Sequence, residues 1–225
     1  MPSSGESDDD LQAPEETEAH FKKKRILSNR ITLPQWQAQR DEFIRQIIGL
    51  DTDQLVFMDE TSTVEEWPRL RARAPSGQEA ECYEHSTRPK RETLIAALGH
   101  DQVLAPQSFS GALNKERFLE WLKILRPQLA PDQVLVLDNL KVHPARVVQE
   151  WLEQNPIRFI FLPPYSPHFN PIETLWALLK ARLRKERIKG FADIHQRLNP
   201  LLSELAQQHG PALFRGCGYA PLSKL

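Results

Sequence analysis

Three acidic residues occupy positions in the sequence that suit the binding of divalent cations. Asp59 ends the apolar run LVFMD, Asp138 ends VLVLD, and Glu173 lies in FLPPYSPHFNPIETLW, with 34 residues between Asp138 and Glu173. Both Asp residues are predicted at the ends of strands, and Glu173 is predicted to open a helix. The interval before Glu173 is long enough for a helix, a strand and a loop. We therefore expect the three carboxylates to meet at one sheet edge.

Three carboxylates so placed predict a two-metal phosphoryl-transfer site. Mg²⁺ and similar hard cations prefer carboxylate oxygens. Two such ions about 3.5–4 Å apart can activate a nucleophile near neutral pH and neutralise charge on the attacking and leaving oxygens of a phosphodiester. Asp59, Asp138 and Glu173 are accordingly predicted as catalytic and metal-binding residues. The predicted substrate is a nucleic-acid phosphodiester.

Each of these acids also has a purely structural explanation. An Asp at a strand end often starts a turn. Asn170-Pro171-Ile172-Glu173 is a good helix start, with Asn170 as the N-cap and Glu173 where a capping-box carboxylate reaches back. The two roles of Glu173 are compatible, because a helix N-terminus favours the ionised carboxylate that a metal requires. The joint spacing of the three acids favours the metal site over capping alone.

Apolar patterning predicts an α/β fold that would hold these residues. Strands are predicted at residues 54–59, 93–98, 102–109, 133–137 and 157–162. The first three are expected to be antiparallel, and helices are predicted at residues 114–125, 145–154, 171–185 and 194–209. The order βββαβαβα is that of a ribonuclease-H-like domain, a mixed five-stranded sheet flanked by helices.

Composition divides the chain into three parts. Residues 1–20 hold seven of the 30 acidic residues and none of the 29 basic ones, which predicts a disordered acidic tail. Residues 21–50 are predicted as a linker, FKKKR, and an entry helix. Residues 51–220 are predicted as the catalytic domain. The apolar positions that predict the entry helix are Trp36, Phe43, Ile44, Ile47 and Ile48.

Composition also excludes several classes of protein. Cys82 and Cys217 are too few and too far apart for a disulfide framework or a zinc site. No apolar run is long enough to span a membrane, and the N-terminus lacks an export signal, so a cytoplasmic protein without a membrane partner is expected. Residues 21–225 have a net charge of +6, which permits a polyanionic partner without requiring one.

A basic segment in the predicted helix 171–185 and beyond is a candidate DNA-binding surface. Lys180, Arg182 and Arg184 begin it, and a solvated helix face is the alternative explanation. His143 could approach the scissile phosphate or flanking DNA, although a His before Pro144 is more often a capping residue. Trp176 is predicted as a core anchor beneath the carboxylates, with base stacking as the alternative.

The motifs resemble the DDE transposases of the mariner-like superfamily, especially its bacterial insertion-sequence branch. The resemblance rests on FMDET at 57–61, VLDN at 136–139 with His143, LPPYSPHFNPIE at 162–173, Trp176 and Lys180. His168 departs from the family pattern, which often has an acid there. The LKV segment before His143 departs too, since a Gly or Ser is common in it. Neither departure touches the three acids.

The resemblance implies a function and a set of partners. Asp59, Asp138 and Glu173 look like the metal-binding triad of the superfamily, with two Mg²⁺ ions that Mn²⁺ can replace. The implied reaction is cut-and-paste transposition, in which double-stranded DNA is cleaved at transposon ends and the freed 3′-hydroxyl attacks target DNA. A homodimer acting in the bacterial cytoplasm on the nucleoid is the implied setting.

Only some 50 residues precede Asp59, whereas full transposases of this kind carry helix-turn-helix domains there. We therefore expect a separately encoded or frameshift-fused helix-turn-helix segment to recognise the transposon ends. Two alternatives stay open from the sequence. The chain could be a stand-alone metal-dependent nuclease with the same triad, or a truncated DNA-binding remnant without catalytic activity.

Overall fold

A computed structural model of the chain describes residues 34–65, 74–79, 90–138, 146–188 and 190–219. Five strands are present in these ranges: β1 (Leu55–Val64), β2 (Arg91–Leu98), β3 (Val103–Ser110), β4 (Val134–Leu137) and β5 (Arg158–Phe161). The helices are α1 (Pro34–Ile47), α2 (Lys115–Leu125), α3 (Arg146–Gln154), α4 (Pro171–Lys185) and α5 (Phe191–Gly216). Short 3₁₀ turns cover Thr52–Gln54, Arg126–Gln128 and Pro167–Phe169. The predicted tail 1–20 lies outside the described residues.

The strands form one mixed sheet in the order β3-β2-β1-β4-β5. β1 pairs antiparallel with β2 and β2 with β3, whereas β1 pairs parallel with β4 and β4 with β5. Parallel neighbours need crossover connections, which α2 and α3 supply. The predicted antiparallel start and the α/β class are both confirmed.

Alternating residues of the strands face two separate hydrophobic cores. Val56 and Met58 of β1 pack with Trp121 of α2 and Val148 of α3 on one face. Leu55 and Phe57 face α1, α4 and α5 on the other. The sheet is therefore buried on both sides, as expected where crossover helices cover parallel strands.

β1 is longer than the sequence predicted. The prediction ended this strand at Asp59, but the strand continues to Val64, paired with β2 along its whole second half. The residues of this half are polar, so no apolar pattern predicted a strand there, although Thr61 and Thr63 are β-branched and suit a strand. Asp59 therefore lies inside a strand rather than at its end.

α5 also extends beyond its predicted end at residue 209. Gly210-Pro211 is a pattern that usually ends a helix, yet α5 includes both residues and continues to Gly216. Phe214 lies past this pair and packs against Phe57, with ring centroids 5.4 Å apart. A Cβ atom at Gly210 would lie 2.2 Å from the carbonyl oxygen of His100. Glycine is thus required where α5 crosses the β2–β3 turn.

α1 lies in the segment predicted as an entry helix, and it buries only part of its apolar face. Phe43 is 2 % exposed and packs on Phe169, with ring centroids 5.7 Å apart. Ile44, and Ile48 just after the helix, are 43 % and 76 % exposed. Helical spacing marks an apolar stripe, but the docking of α1 against one loop buries only part of it.

Among the described residues, no helix is long and apolar enough to cross a membrane.

Candidate active site

Asp59 sits in the row of β1 side chains that faces α4. Leu55 and Phe57 precede it in this row, and Thr61 follows it. Its neighbours on the antiparallel side belong to β2, where Ala96 is its partner. The residue is 7 % exposed, so its carboxyl group lies at the edge of the core instead of in solvent.

Asp138 follows the last residue of β4, the strand parallel to β1. Phe57 of β1 pairs with Val136 of β4. Asp59 and Asp138 each follow two residues later, so the two Asp residues occupy matching positions. Val136 belongs to the α4 side of the sheet, and the side chain two positions later points the same way. The predicted proximity of the two Asp residues is explained by this parallel register.

Glu173 lies in the first turn of α4, whose bounds match the predicted helix. The capping alternative does not account for it. A capping-box carboxylate would accept a hydrogen bond from the backbone N–H of Asn170. That N–H instead donates to the carbonyl oxygen of Pro167 at 3.0 Å. The Asn170 side chain makes no capping hydrogen bond to this helix. The Glu173 carboxylate is therefore available to the cleft that it lines with Asp138.

The proline-rich loop before α4 is held from two directions. Arg40 of α1 donates through Nε to Ser166 Oγ at 3.2 Å, and Ser166 Oγ donates to the Pro164 carbonyl at 3.2 Å. Near the end of the described chain, Tyr219 donates its hydroxyl to the Phe169 carbonyl at 2.7 Å. These contacts fix the start of α4, and so the position of Glu173.

The carboxylates repel one another electrostatically. Burial, together with the charges of Glu173, Glu60 and Asp138, raises the pKa of Asp59 to about 8. Partial burial and the charge of Asp138 also raise the pKa of Glu173, against the opposing effect of Lys180. A pKa of about 8 means that Asp59 is protonated over much of the neutral range when no cation compensates it.

Two side chains of α4 partly offset this charge. Trp176, 2 % exposed, donates through Nε1 to Asp59 Oδ2 at 3.1 Å. Lys180 lies one further turn along the same helix face and donates through Nζ to Thr61 Oγ1 at 2.5 Å. Burial lowers the pKa of Lys180, while Glu173 acts to raise it. Trp176 is the predicted core anchor, and it also holds one of the predicted ligands.

The acidic site suits a divalent cation by charge. Carboxylate oxygens are the donors that Mg²⁺ prefers, and a cation would remove the repulsion that raises the Asp59 pKa. Within the described part of the chain, however, no three His, Cys, Asp or Glu side chains converge closely enough to form a metal cluster. The charge and the donor atoms of the site thus fit a divalent cation, whereas a closed coordination shell is not preformed.

The chain matches the family model described as "DDE superfamily endonuclease" over residues 54–195. This range is more than half of the chain and includes Asp59, Asp138 and Glu173. The chain belongs to the DDE superfamily endonuclease family. The family predicted from the motifs is therefore confirmed.

A curated relative comes from a bacterial insertion element. The "Insertion element IS630 uncharacterized 39 kDa protein" of Shigella sonnei is 40 % identical over 89 residues, covering 38 % of this chain and 25 % of the relative. The match thus spans about a quarter of the relative's length. It agrees with the insertion-sequence branch that the motifs predicted.

Solved structures share the fold of this DDE endonuclease domain. The mariner Mos1 paired end complex with Mg matches with a TM-score of 0.66 at 18 % identity, over 89 % of this chain and 63 % of that one. The catalytic domain of Mos1 mariner transposase matches with a TM-score of 0.57 at 15 % identity, over 86 % of this chain and 94 % of that one. At these identities the likeness shows the fold, which confirms the ribonuclease-H-like prediction.

The basic residues predicted to bind DNA differ in their surroundings. Lys180 is half-buried beside the carboxylates of the DDE domain, as described above. Arg182 donates through Nε to Glu186 and lies 3.5 Å through Nη2 from Glu204 Oε1 on α5. Arg184 is exposed on α4. His143 lies outside the described residues. DNA contact by all four stays a prediction.

Sequence reasoning missed two contributors to the site. Thr61, the partner of Lys180, lies in the half of β1 that was not predicted as strand. Trp36 of α1 lines the cleft next to Asp138 and Glu173, yet the sequence presents it only as one apolar residue of an entry helix. The β-branched Thr61 and Thr63 of DETST were the available signal for this strand. Only the packing of α1 on the loop identifies Trp36.

Proposed function

We propose that this chain is the catalytic domain of a mariner-like transposase. The reaction is cleavage of DNA phosphodiesters at transposon ends, followed by joining of the freed 3′ ends to target DNA. Asp59, Asp138 and Glu173 are the proposed catalytic and metal-binding residues. The observation that carries the proposal is the parallel register of β1 and β4, which aligns Asp59 with Asp138 next to the helix that has Glu173 in its first turn, within the residues matched to the DDE superfamily endonuclease model.

The proposed cofactor is a pair of Mg²⁺ ions, replaceable by Mn²⁺. One of the matched Mos1 structures is a paired end complex with Mg, which supports the choice of metal. Two divalent ions held by carboxylates neutralise phosphodiester charge and supply an activated water. Asp59, Asp138 and Glu173 would be their ligands, since these carboxylates lie on two adjacent parallel strands and the helix covering them.

The residues around the triad control its charge and orientation. Asp59 must release its proton to act as a ligand, so cation affinity increases as the pH rises towards about 8. Trp176 holds the Asp59 carboxylate by its indole N–H. Lys180, two turns after Glu173, is the nearest predicted contact for a DNA phosphate.

The proposed partners are double-stranded transposon ends and target DNA, with the chain acting as a homodimer in the bacterial cytoplasm. The Mos1 paired end complex supports an assembly on DNA ends. A helix-turn-helix segment, encoded separately or joined by frameshifting, is the proposed reader of the terminal repeats. It is proposed because the catalytic fold offers metal chemistry rather than base-specific recognition.

A nicking assay tests the proposed site. Supercoiled plasmid is incubated with the chain and Mg²⁺ or Mn²⁺, and nicked product is counted. Asp138→Asn, which keeps the shape of the side chain, should reduce nicking at least about a hundredfold. Asp101→Asn, in the exposed β2–β3 turn, is the matched control and should nick normally. Equal nicking by Asp138→Asn and the wild type would disprove the site.

A joining assay separates transposase from nuclease. A labelled duplex with a pre-cut 3′-hydroxyl end is mixed with plasmid and metal, and transfer of label to plasmid is measured. Joined product that disappears with Asp138→Asn supports strand transfer. Nicking without any joined product supports the stand-alone nuclease instead.

A further inference from the structure

β3 forms one edge of the sheet, and among the described strands none pairs with its outer side. This strand has eight residues, whereas β5 at the opposite edge has four. The main-chain N–H and C=O groups on the outer side of an edge strand are a template on which another chain can pair. The proposed catalytic residues lie on or next to β1, β4 and α4, so the metal chemistry makes no use of this edge.

The first half of the β3 edge is covered by side chains from the helical layer. The backbone N–H of Ala105 donates to Gln128 Oε1 at 3.1 Å, and Trp121 Nε1 donates to the Ala105 carbonyl oxygen at 2.7 Å. Pro106 follows and has no N–H to donate. The register of β3 against β2 is irregular at the same place. Pairing with a further strand is therefore confined to the second half of β3, residues 107–110.

A groove of about 400 Å³ lies between this half of β3 and α2. We call it the edge groove; its lining residues on the two elements are Gln107, Ser108 and Phe109 of β3 and Arg117, Glu120 and Ile124 of α2. An open strand edge beside a helix is a combination to which an extended segment can add as a new strand. Main-chain hydrogen bonds supply the affinity in such sites, and side-chain contacts supply the specificity.

The α2 side of the edge groove carries one charge of each sign. The Arg117 guanidinium lies over the Phe109 ring, with its Cζ 4.7 Å from the ring centroid, and it donates through Nη1 to the Ser110 carbonyl oxygen. Neither contact neutralises its charge. Glu120 is exposed one turn further along α2, and Ile124, 41 % exposed, lies one turn beyond it. A cation, an anion and an apolar side chain thus follow one another along the groove.

This pattern is complementary to itself when it is reversed. Positions three or four apart share one side of a helix, and the residues so spaced are Leu113, just before α2, and Arg117, Glu120 and Ile124 within it. In a second copy turned end to end, Arg117 lies opposite Glu120 and Leu113 lies opposite Ile124, because both pairs are centred on the same point. A two-fold symmetric interface requires such self-complementarity.

From the open half of β3, the edge groove and the reversed charge pattern, we propose that a second copy of this chain docks in the edge groove. The two β3 strands pair antiparallel about Ser108, and Arg117 of each copy faces Glu120 of the other. The assignment rests on the proposed function in one respect, since it gives a surface to the homodimer proposed there. The catalytic carboxylates stay open to DNA, because they lie on the α4 face of the sheet and the edge groove lies on the α2 face.

Sedimentation equilibrium of the full chain tests the interface by charge reversal. The wild type should dimerise. Arg117→Glu and Glu120→Arg should each raise the dissociation constant at least about tenfold, because a two-fold interface holds two such pairs. The double variant Arg117→Glu/Glu120→Arg restores opposite charges and should return the dissociation constant to within about threefold of the wild type. Lys115→Glu, exposed on α2 outside the groove lining, is the matched control and should leave it unchanged.

The double variant separates an interface from a structural role of Arg117, since Glu120→Arg cannot repair a lost contact with Phe109 or Ser110. Single variants with wild-type circular dichroism that dimerise normally would overturn the pairing. A folded double variant that stays monomeric would overturn it as well. A monomeric wild type would overturn the whole proposal in favour of a different occupant of the edge groove.

Hydrogen–deuterium exchange on the wild type covers the case in which these variants fail to fold. The backbone amides within residues 107–109 that point away from β2 should exchange at least about tenfold more slowly above the dissociation constant than below it, because pairing removes them from water. Amides of β5 should exchange equally at both concentrations. A dimer without added protection at residues 107–109 would overturn the proposal.

The nicking assay with the wild type and Asp138→Asn is run in parallel to separate the interface from the proposed function. Metal-dependent nicking by a chain that stays monomeric rejects only the interface. A dimer protected at residues 107–109 that does not nick DNA rejects only the catalytic function.

Discussion

Two buried tryptophans on opposite faces of the sheet make the same kind of contact for different purposes. Trp121 of α2, 1 % exposed, donates through Nε1 to the Ala105 carbonyl of β3 at 2.7 Å. Trp176 of α4, 2 % exposed, donates through Nε1 to the Asp59 carboxylate of β1 at 3.1 Å. Each indole satisfies its buried donor, as buried Trp residues usually do. Only Trp176 donates to an ionisable group.

The acceptors explain the difference between the two faces. Ala105 has a φ of +47° and lies near an irregularity in the β2–β3 register, so Trp121 stabilises an unusual backbone conformation. Trp121 packs with buried apolar residues, among them Val56, Met58 and Val148. On the other face, Asp59 continues the apolar row of Leu55 and Phe57. The face with Trp121 therefore stabilises the sheet. The face with Trp176 buries the ionisable Asp59 side chain, which lowers the stability of the fold.

The largest effect is expected from removing the structural tryptophan. Trp121→Ala should lower the free energy of unfolding by about 3–5 kcal/mol, because a large buried side chain and a hydrogen bond are lost. Denaturant unfolding measures this. The folded fraction should bind Mg²⁺ as the wild type does in isothermal titration. Weaker Mg²⁺ binding by the folded fraction would contradict the separation of the two faces.

The second effect is a pH dependence of stability in metal-free protein. The pKa of Asp59 is about 8 in the folded chain, against 3.8 for an unperturbed Asp side chain, so the folded state holds a proton that the unfolded state releases. The stabilisation that this bound proton gives the folded state is fully present below about pH 4. It is lost as the pH rises to about 8, which lowers the free energy of unfolding by a few kcal/mol at most.

Unfolding in EDTA across this pH range measures the Asp59 effect. Asp59→Asn cannot ionise and should remove most of the decline. Saturating Mg²⁺ should also flatten the wild-type curve at the upper end, because the cation stabilises the ionised carboxylate. A wild-type curve in EDTA that rises between about pH 4 and 8, while that of Asp59→Asn does not, would show that the sign is wrong.

The third effect distinguishes the tryptophans directly. Trp176→Phe keeps the ring but removes the bond to Asp59, and it should weaken Mg²⁺ binding about 10- to 100-fold, as loss of a group that orients a ligand does. Trp121→Phe is the matched variant on the opposite face and should leave Mg²⁺ affinity unchanged. Titration calorimetry checks both, and similar affinities for the two variants would contradict this difference between the faces.

The smallest effect concerns two lysines. Lys180→Met should weaken duplex binding in EDTA about fivefold and lower the slope of log affinity against log salt by about one unit, if its ammonium group contacts a phosphate. Lys123→Met, exposed on α2 of the opposite face, should change neither value. Fluorescence anisotropy at several salt concentrations measures both. An unchanged slope for Lys180→Met would remove Lys180 from the DNA surface.

Local patterns were sufficient for most of the elements. Asn114, which accepts from the Arg117 N–H at 2.9 Å, starts α2 as its residue type suggests, and α4 has its predicted bounds. The second half of β1 was missed because its polar side chains follow no apolar alternation. The extension of α5 through Gly210-Pro211 was missed because Phe214 is buried by long-range contacts. Local propensity is overridden where distant packing provides more stabilisation.

The sequence alone determined the fold class, the family and the choice of Asp59, Asp138 and Glu173 as candidates, since strand periodicity and motif spacing are local properties of the chain. The tertiary structure decided what surrounds them. The indole bond to Asp59, the placement of Lys180 on Thr61 and the cleft walled by Trp36 and Tyr165 each join segments far apart in sequence. Their positions follow from how α1 and α4 pack on the sheet, which no local pattern encodes.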